Sequence, residues 1–182
     1  ATNGTPMQQQ RASRNQLNRA VVEETRSLAA TAVSTMPTAM ALSESSGMER
    51  IVFDAVNTTM LPGRRARGEG DPPTGDAAVD EAYDGAGATY ALYEQVYDRI
   101  SLDGRGMPLQ STVHYGKGYD NAFWNGRQMA YGDGDEDLPE DERIFNRFTI
   151  ALDIIGHELT HGVIQFSANL RYQGQSGALN AS

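Results

Sequence analysis

The sequence predicts an α+β fold, in which a β-rich domain carries helices and ends in a long helix. Short runs of β-branched and aromatic residues, bounded by glycine, proline and asparagine, predict strands in the first and middle parts of the chain. Apolar residues at three- and four-residue steps over 76–97 and again over 145–166 predict two helices. The 182 residues are enough for one such domain with an arm.

The arm is the first part of the chain. Residues 10–33 have helical spacing, and residues 34–47 are small, polar and interrupted by Pro37, which indicates a linker. Residues 1–40 carry four arginines and two glutamates, a net charge of +2, so the remainder carries −11. A basic arm beside an acidic body favours docking of one on the other. We therefore divide the chain into an arm with its linker (1–45) and a folded part (46–182).

Strands are predicted at three places in the folded part. Residues 50–55 and 111–115 have strand composition, whereas residues 61–75, with three prolines and four glycines, indicate a loop. The Asn-Gly pair at 125–126 lies between two apolar runs, which is the strongest short signal for a β-hairpin.

A helix is predicted between these strands, over 76–97. Gly85 and Gly87 lie inside the repeat, where glycine lowers helix propensity by about 1 kcal/mol relative to alanine. Glycine at such positions indicates close packing against a neighbour.

Composition excludes several classes of function. The net charge of −9 argues against nucleic acid as a partner. No apolar run is long enough to span a bilayer, so a membrane partner is not expected. Cysteine is absent, which removes both disulfides and thiolate metal sites.

An acidic stretch follows the predicted hairpin. Asp133, Asp135 and Asp137 begin it with the spacing of a calcium-binding loop. However, Leu138 stands where such a loop needs glycine, and Ile144 where it needs glutamate. We therefore interpret this stretch as a solvated acidic loop ahead of a helix N-terminus.

The last predicted helix is apolar on more than one face. Its main stripe consists of Phe145, Phe148, Leu152, Ile155, Leu159, Val163 and Phe166. Asp153, His157 and His161 recur every four residues beside that stripe, so they stack along one side of the helix. A site on such a helix would be rigidly held.

The pentapeptide HELTH at 157–161 carries the chemistry. Two histidines four residues apart on a helix can give imidazole nitrogens to one zinc ion. Glu158 lies beside them and can accept a proton from zinc-bound water. The alternative is a helix with two ordinary surface histidines, which we consider much less favoured because the pattern takes two of the chain's three histidines.

Three blocks resemble the thermolysin family of zinc endopeptidases, most closely its protealysin-like branch. They are EGDPP with AVDEAY at 69–83, NAFWNG with YGDGD at 121–135, and HELTH with SGALN at 157–180. The resemblance covers residues 46–180. It is weak before residue 46, where only an arginine- and alanine-rich helix and a linker support it.

The resemblance implies a role for each matched position of the reaction centre. His157 and His161 would bind zinc, and Glu158 would be the general base in peptide-bond hydrolysis. Tyr172 would donate its hydroxyl to the oxyanion, although the residue type alone fits an ordinary tyrosine after the helix equally well. The substrate would be a peptide or protein.

The resemblance also implies partners and a location. Asp153 would be a calcium ligand, and Asn121, Ala122, Phe123 and Trp124 would form an edge strand that pairs with the substrate main chain. Residues 1–45 would be a propeptide remnant bound by the folded part. The family implies secretion, although residues 1–182 show no signal peptide.

One departure from the family pattern is important. The third zinc ligand of the family is a glutamate twenty residues after the second histidine, and Ala181 occupies that position here. The sequence stops at Ser182, so the helical domain that follows in the family is expected to be absent. We therefore expect a metallopeptidase fragment that is itself inactive. The alternative is a non-catalytic domain that binds its propeptide, a peptide or an inhibitor.

An exposed apolar face is a further expectation. If the following domain is absent, the last helix should leave uncovered the surface meant for it, through Ile154, Ile164 and Leu179. Such patches promote self-association.

Overall fold

The computed structural model describes residues 47–168, together with Pro6, Gln9 and Ser13. Most of the predicted arm and linker lie outside the described residues. So do Tyr172, Leu179 and Ala181, and the expectations for those three positions remain predictions.

A five-stranded mixed sheet forms the centre of the described part. Its strands are β1 (Arg50–Asp54), β2 (Arg64–Gly68), β3 (Leu109–Val113), β4 (Ala122–Trp124) and β5 (Met129–Tyr131). Their spatial order is β2-β1-β3-β5-β4. β3 pairs in parallel with both β1 and β5, while β2 and β4 pair antiparallel at the two edges. With its helices, this sheet confirms the α+β class.

Two helices accompany the sheet, α1 (Ala77–Tyr97) and α2 (Leu152–Ala168). The Asp76 side chain caps α1 by accepting hydrogen bonds from the main-chain N–H groups of Ala78 and Val79. A Cβ added at Gly85 would lie 2.4 Å from the Ile155 side chain of α2, so the absence of a side chain there lets the two helices approach. The close packing predicted at Gly85 is therefore confirmed. No helix among the described residues is long and apolar enough to cross a membrane.

The interpretation of 61–75 as a loop was wrong in part, because β2 lies within it. The strand RRARG escaped prediction because charged residues dominate it. Arg67 is 6% exposed and forms an ion pair with Asp80 of α1 at 3.0 Å. The Tyr83 ring lies between the guanidinium groups of Arg50 and Arg67, each 3.7 Å from the ring centre. Arginine thus replaces aliphatic residues in holding this edge on α1.

The apolar stripe overstated the extent of the last helix. α2 begins only at Leu152, and residues 148–150 form a separate 3₁₀ turn. Arg147 and Ala151 have non-helical backbone angles on either side of this turn. Phe145 and Leu152 are exposed, whereas Ile155 and Leu159 are each 1% exposed and join the core. The amphipathic spacing therefore holds within α2 but not before it.

The acidic stretch is not simply solvated. Asp135 is 5% exposed and accepts hydrogen bonds from the main-chain N–H groups of Ile144 and Phe145. Glu136 forms an ion pair with Arg147 at 2.9 Å. These carboxylates organise the loop between β5 and α2, because each accepts donors that would otherwise lack partners.

Candidate metal centre

The two histidines of the motif face each other on α2. Their ring centres are 4.8 Å apart, with the rings nearly perpendicular. One possible ligand atom from each of His157, Glu158 and His161 lies within 4.8 Å of the others. These are the spacing and donor types that a zinc ion accepts. The residues present therefore fit two of the three protein ligands of a catalytic zinc site.

The histidines differ in their surroundings. His161 is 5% exposed, while His157 is exposed and borders the open space on both sides of α2. Thr160, between them, forms a hydrogen bond with the Tyr93 hydroxyl of α1 at 2.8 Å. That bond fixes α1 beside the motif. Sequence reasoning missed it because nothing in either residue's local pattern indicates a partner 67 positions away.

Glu158 is held by the edge of the sheet. Its Oε2 atom accepts a hydrogen bond from the main-chain N–H of Trp124 at 3.1 Å. The same atom lies 4.0 Å from Nε2 of His161. The carboxylate is only 14% exposed, so its position depends on these protein contacts more than on water. A proton acceptor beside two imidazoles is thereby fixed in place.

A pocket of about 400 Å³ opens beside the motif. Its walls come from the sheet edge, the 3₁₀ turn and α2: Asn121, Phe148, Asp153, Ile154, His157 and Glu158. The structure thus brings Asn121 and Asp153 together with the motif, and the substrate-binding and calcium-binding roles implied for them remain predictions. Phe148 and Ile154 supply an apolar wall that sequence reasoning did not assign to the site.

β4 is an edge strand, as expected, since it pairs only with β5 in the described sheet. The side chains of Ala122, Phe123 and Trp124 are all buried. Phe123 packs edge-on against Tyr115 and Tyr119 in a separate aromatic cluster. Only the main chain of β4 can therefore meet a ligand, together with the side chain of Asn121 at its start.

A second opening of about 710 Å³ lies between α1 and α2, and we call it the helix groove. Its lining includes Leu92 and Tyr93 of α1 with Leu152 and His157 of α2. The exposed apolar face was expected through Ile154, Ile164 and Leu179; Ile154 and Ile164 are half-buried, and Ile154 also packs against the core. Leu179 lies outside the described residues, so the face expected through these three residues remains a prediction, while Leu152 is the residue of α2 that lies exposed at the groove.

The third histidine, His114, has a structural role. Its ring bonds Asp133 through Nδ1 at 2.8 Å and Asp76 through Nε2 at 3.0 Å. The hydrogen bond with Asp133, helped by the charges of both carboxylates, raises the pKa of His114 to about 9 despite burial. Burial opposes ionisation of Asp76, yet the bonds from His114 and from the start of α1 outweigh it and lower its pKa. A charged imidazole therefore links α1 to the loop after β5.

Comparison with known proteins places these features in context. The protein-family model described as the thermolysin metallopeptidase catalytic domain matches residues 17–165. An extracellular metalloprotease of Pectobacterium carotovorum subsp. carotovorum is 54% identical over 133 residues, which are 73% of this chain and 37% of that protein. Protease PrtS of Photorhabdus sp. (strain Az29) is 53% identical over 135 residues, 74% of this chain and 35% of that protein.

A solved structure agrees with the sequence matches. The precursor of protealysin, a metalloproteinase from Serratia proteamaculans, superposes with a TM-score of 0.69 at 49% identity. The match covers 79% of this chain and 43% of that one. The chain thus spans little more than a third of the length of the curated relatives it matches.

Proposed function

Because this chain belongs to the thermolysin metallopeptidase family, we propose that it supplies the zinc-binding and substrate-pairing half of an endopeptidase site. The observation that carries this proposal is the convergence of His157, Glu158 and His161, whose candidate ligand atoms lie within 4.8 Å of one another beside a sheet edge. Among the described residues, these three form the one such cluster of potential metal ligands.

Each residue of the proposed site would have its own chemical role. His157 and His161 would hold zinc, which when bound polarises a carbonyl and makes water acidic. Glu158, fixed by the Trp124 N–H, would accept the water proton and pass it toward the leaving amine. Tyr172 would donate to the developing oxyanion, a role supported only by the family resemblance.

Substrate would bind as an added strand. The main chain of β4, entered at Asn121, is open on one side and can pair with an extended peptide. The apolar walls Phe148 and Ile154 lie next to Glu158, so a bulky apolar side chain would fit beside the bond to be cleaved. The buried side chains of Ala122, Phe123 and Trp124 would contribute no contacts, and the Trp124 N–H is already bound to Glu158, so the contacts would come from the rest of the β4 main chain.

The other proposals rest on the relatives. Calcium at Asp153 follows the family pattern, and the exposure of this carboxylate one turn before His157 is compatible with it. Secretion is supported by a relative named as an extracellular metalloprotease. Binding of residues 1–45 as a propeptide is supported by the likeness to a precursor. Self-association would use the helix groove.

We further propose that this sequence, with alanine at 181, binds zinc weakly and does not hydrolyse peptides. Two imidazoles without a third protein ligand leave the dication short of one bond and of a compensating charge. Ala181→Glu should tighten zinc binding roughly tenfold or more, judged by the importance of each ligand in such sites. Cleavage of a quenched peptide should stay at background in both chains.

Matched variants test this proposal. Ser182→Glu adds a carboxylate one position away, and His114→Asn removes the histidine outside the centre, so neither should change zinc affinity in a competition assay. His161→Asn should abolish zinc binding. Chelator-sensitive cleavage by the unchanged chain would show that it is active. Binding of an extended peptide without cleavage would favour the alternative function, a peptide-binding domain.

A further inference from the structure

Gln165 joins the end of β4 and the start of the β4–β5 turn to α2. Its Oε1 atom accepts a hydrogen bond from the Trp124 indole at 2.9 Å, and its Nε2 atom donates to the Gly126 carbonyl at 3.1 Å. One amide therefore contacts a side chain before the turn and the main chain within it. Asn125 closes the same turn by accepting from the N–H groups of Arg127 and Gln128. The end of β4 is thus fastened both to itself and to the helix.

Glu158, Gly162 and Gln165 together form a seat for Trp124. They recur at steps of four and three residues, so they share one face of α2. A Cβ at Gly162 would lie 2.8 Å from Leu102 and 3.3 Å from two indole carbons, so any side chain at this position would displace Leu102 and crowd the indole. Trp124 is 3% exposed in this seat.

The seat controls the position of Glu158. The residue whose indole bonds Gln165 also donates its main-chain N–H to the Glu158 carboxylate. A shift of β4 along or away from α2 would break both bonds together. Because hydrogen bonds weaken steeply with distance and angle, small movements of the strand are enough.

We propose that Gln165 is a positioning residue that seats Trp124 on α2 and so keeps its main-chain N–H on the Glu158 carboxylate. The benefit of holding Glu158 in place rests on the function proposed above for it. The contacts themselves do not depend on activity. The proposal assigns a role to a half-buried amide one turn past the motif, outside the metal-binding cluster.

The test uses the single tryptophan of the chain. In Gln165→Met, a side chain of similar length removes both hydrogen bonds. We expect hydrogen exchange of the Trp124 indole and main-chain N–H groups, measured by NMR, to accelerate roughly five- to tenfold, the equilibrium factor of one lost hydrogen bond. Gln95→Met makes the same change at an exposed site on α1 and should leave both signals unchanged.

Two further variants separate positioning from general stabilisation. Gln165→Glu keeps an acceptor for the indole and should restore protection of the indole N–H. Trp124→Phe removes the indole donor but keeps the main-chain N–H, which should exchange faster, as in Gln165→Met. If Gln165→Met does not fold, Trp124→Phe alone tests the proposal.

An unchanged main-chain N–H at position 124 in Gln165→Met, or in Trp124→Phe where only that variant folds, would overturn the proposal. So would loss of stability without a change at this N–H, because Gln165 would then be structural only. Zinc affinity and peptide cleavage are absent from these readouts, so failure of the proposed function would leave this result intact.

Discussion

The two ends of α1 are held in different ways. Its first half is buried on the sheet, and four basic residues pair with residues at its start or along it: Arg50, Arg67, His114 and Arg147. Its second half exposes Leu92, Val96 and Tyr97 beside the helix groove. The charged groups around the first half are therefore paired with one another, whereas the second half presents apolar surface near His157. α2 packs against the first half of α1 at Gly85 and borders the open helix groove beside the second half.

The largest effect is expected from breaking the fixed side at Arg147. Its guanidinium bonds both oxygens of Glu81, at 2.6 and 2.8 Å, and Glu136 at 2.9 Å. The hydrogen bond with Arg147 lowers the pKa of Glu81, and the pKa of Arg147 is raised in return. Arg147→Met leaves two carboxylates without their cation, which should lower the free energy of unfolding by about 2–3 kcal/mol.

Urea denaturation at pH 7 measures this loss. Arg127→Met, at an exposed arginine in the hairpin turn, is the matched control and should change stability by less than about 0.5 kcal/mol. Equal stabilities of the two variants would show that the Arg147 network does not hold α1.

A smaller, pH-dependent effect is expected at His114. Its folded pKa of about 9 lies above its ordinary value of 6.5. The charge therefore stabilises the fold fully below about pH 6.5, and this contribution is lost as pH rises through about 9. His114→Asn should cost about 1–2 kcal/mol at pH 6, after allowance for solvent screening. Asparagine also suits the positive φ of 53° at this position.

The measurement is the difference in unfolding free energy between this variant and the unchanged chain from pH 6 to pH 10. The difference should shrink steadily above pH 6.5. A constant difference across that range would mean that the ring packs here without carrying charge.

The smallest effect is expected on the open side. Leu152 is 54% exposed and Leu92 is 52% exposed, so each loses little buried area on truncation. Leu152→Ala and Leu92→Ala should each change the free energy of unfolding by less than about 0.5 kcal/mol. If chains associate through the helix groove, light scattering should show less self-association for both variants than for the unchanged chain. A loss above about 1 kcal/mol would show that the groove is packed.

Sequence reasoning succeeded where the signal is local. The HELTH spacing places two imidazoles on one helix face, and the Asn-Gly pair at 125–126 specifies the hairpin, because both depend on residues within one or two turns. β1 and α1 were predicted almost to their observed bounds for the same reason. The family resemblance then linked Asn121 to the motif, which spacing alone could not do.

The failures involve partners that are distant in sequence. β2 was missed because Arg67 becomes buried only against Tyr83 and Asp80 of α1. The start of α2 was misplaced because Arg147 is bound to Glu81, 66 residues earlier, and holds the backbone extended. The seat of Trp124 on Gln165 has no signal in either segment. Periodicity reports which face is apolar, but not which polar atoms will meet across it.

The order of strands has a consequence for how the chain folds. β4 and β5 meet across a tight turn, so closing that pair restricts little chain. β1 and β3 are parallel neighbours although the whole of α1 lies between them, so their pairing must close a far longer loop. Distant pairings of this kind slow folding, because entropy is lost before contacts compensate for it. The sheet edge proposed to receive substrate therefore forms with a small loss of chain entropy. The parallel centre that supports it forms with a larger loss.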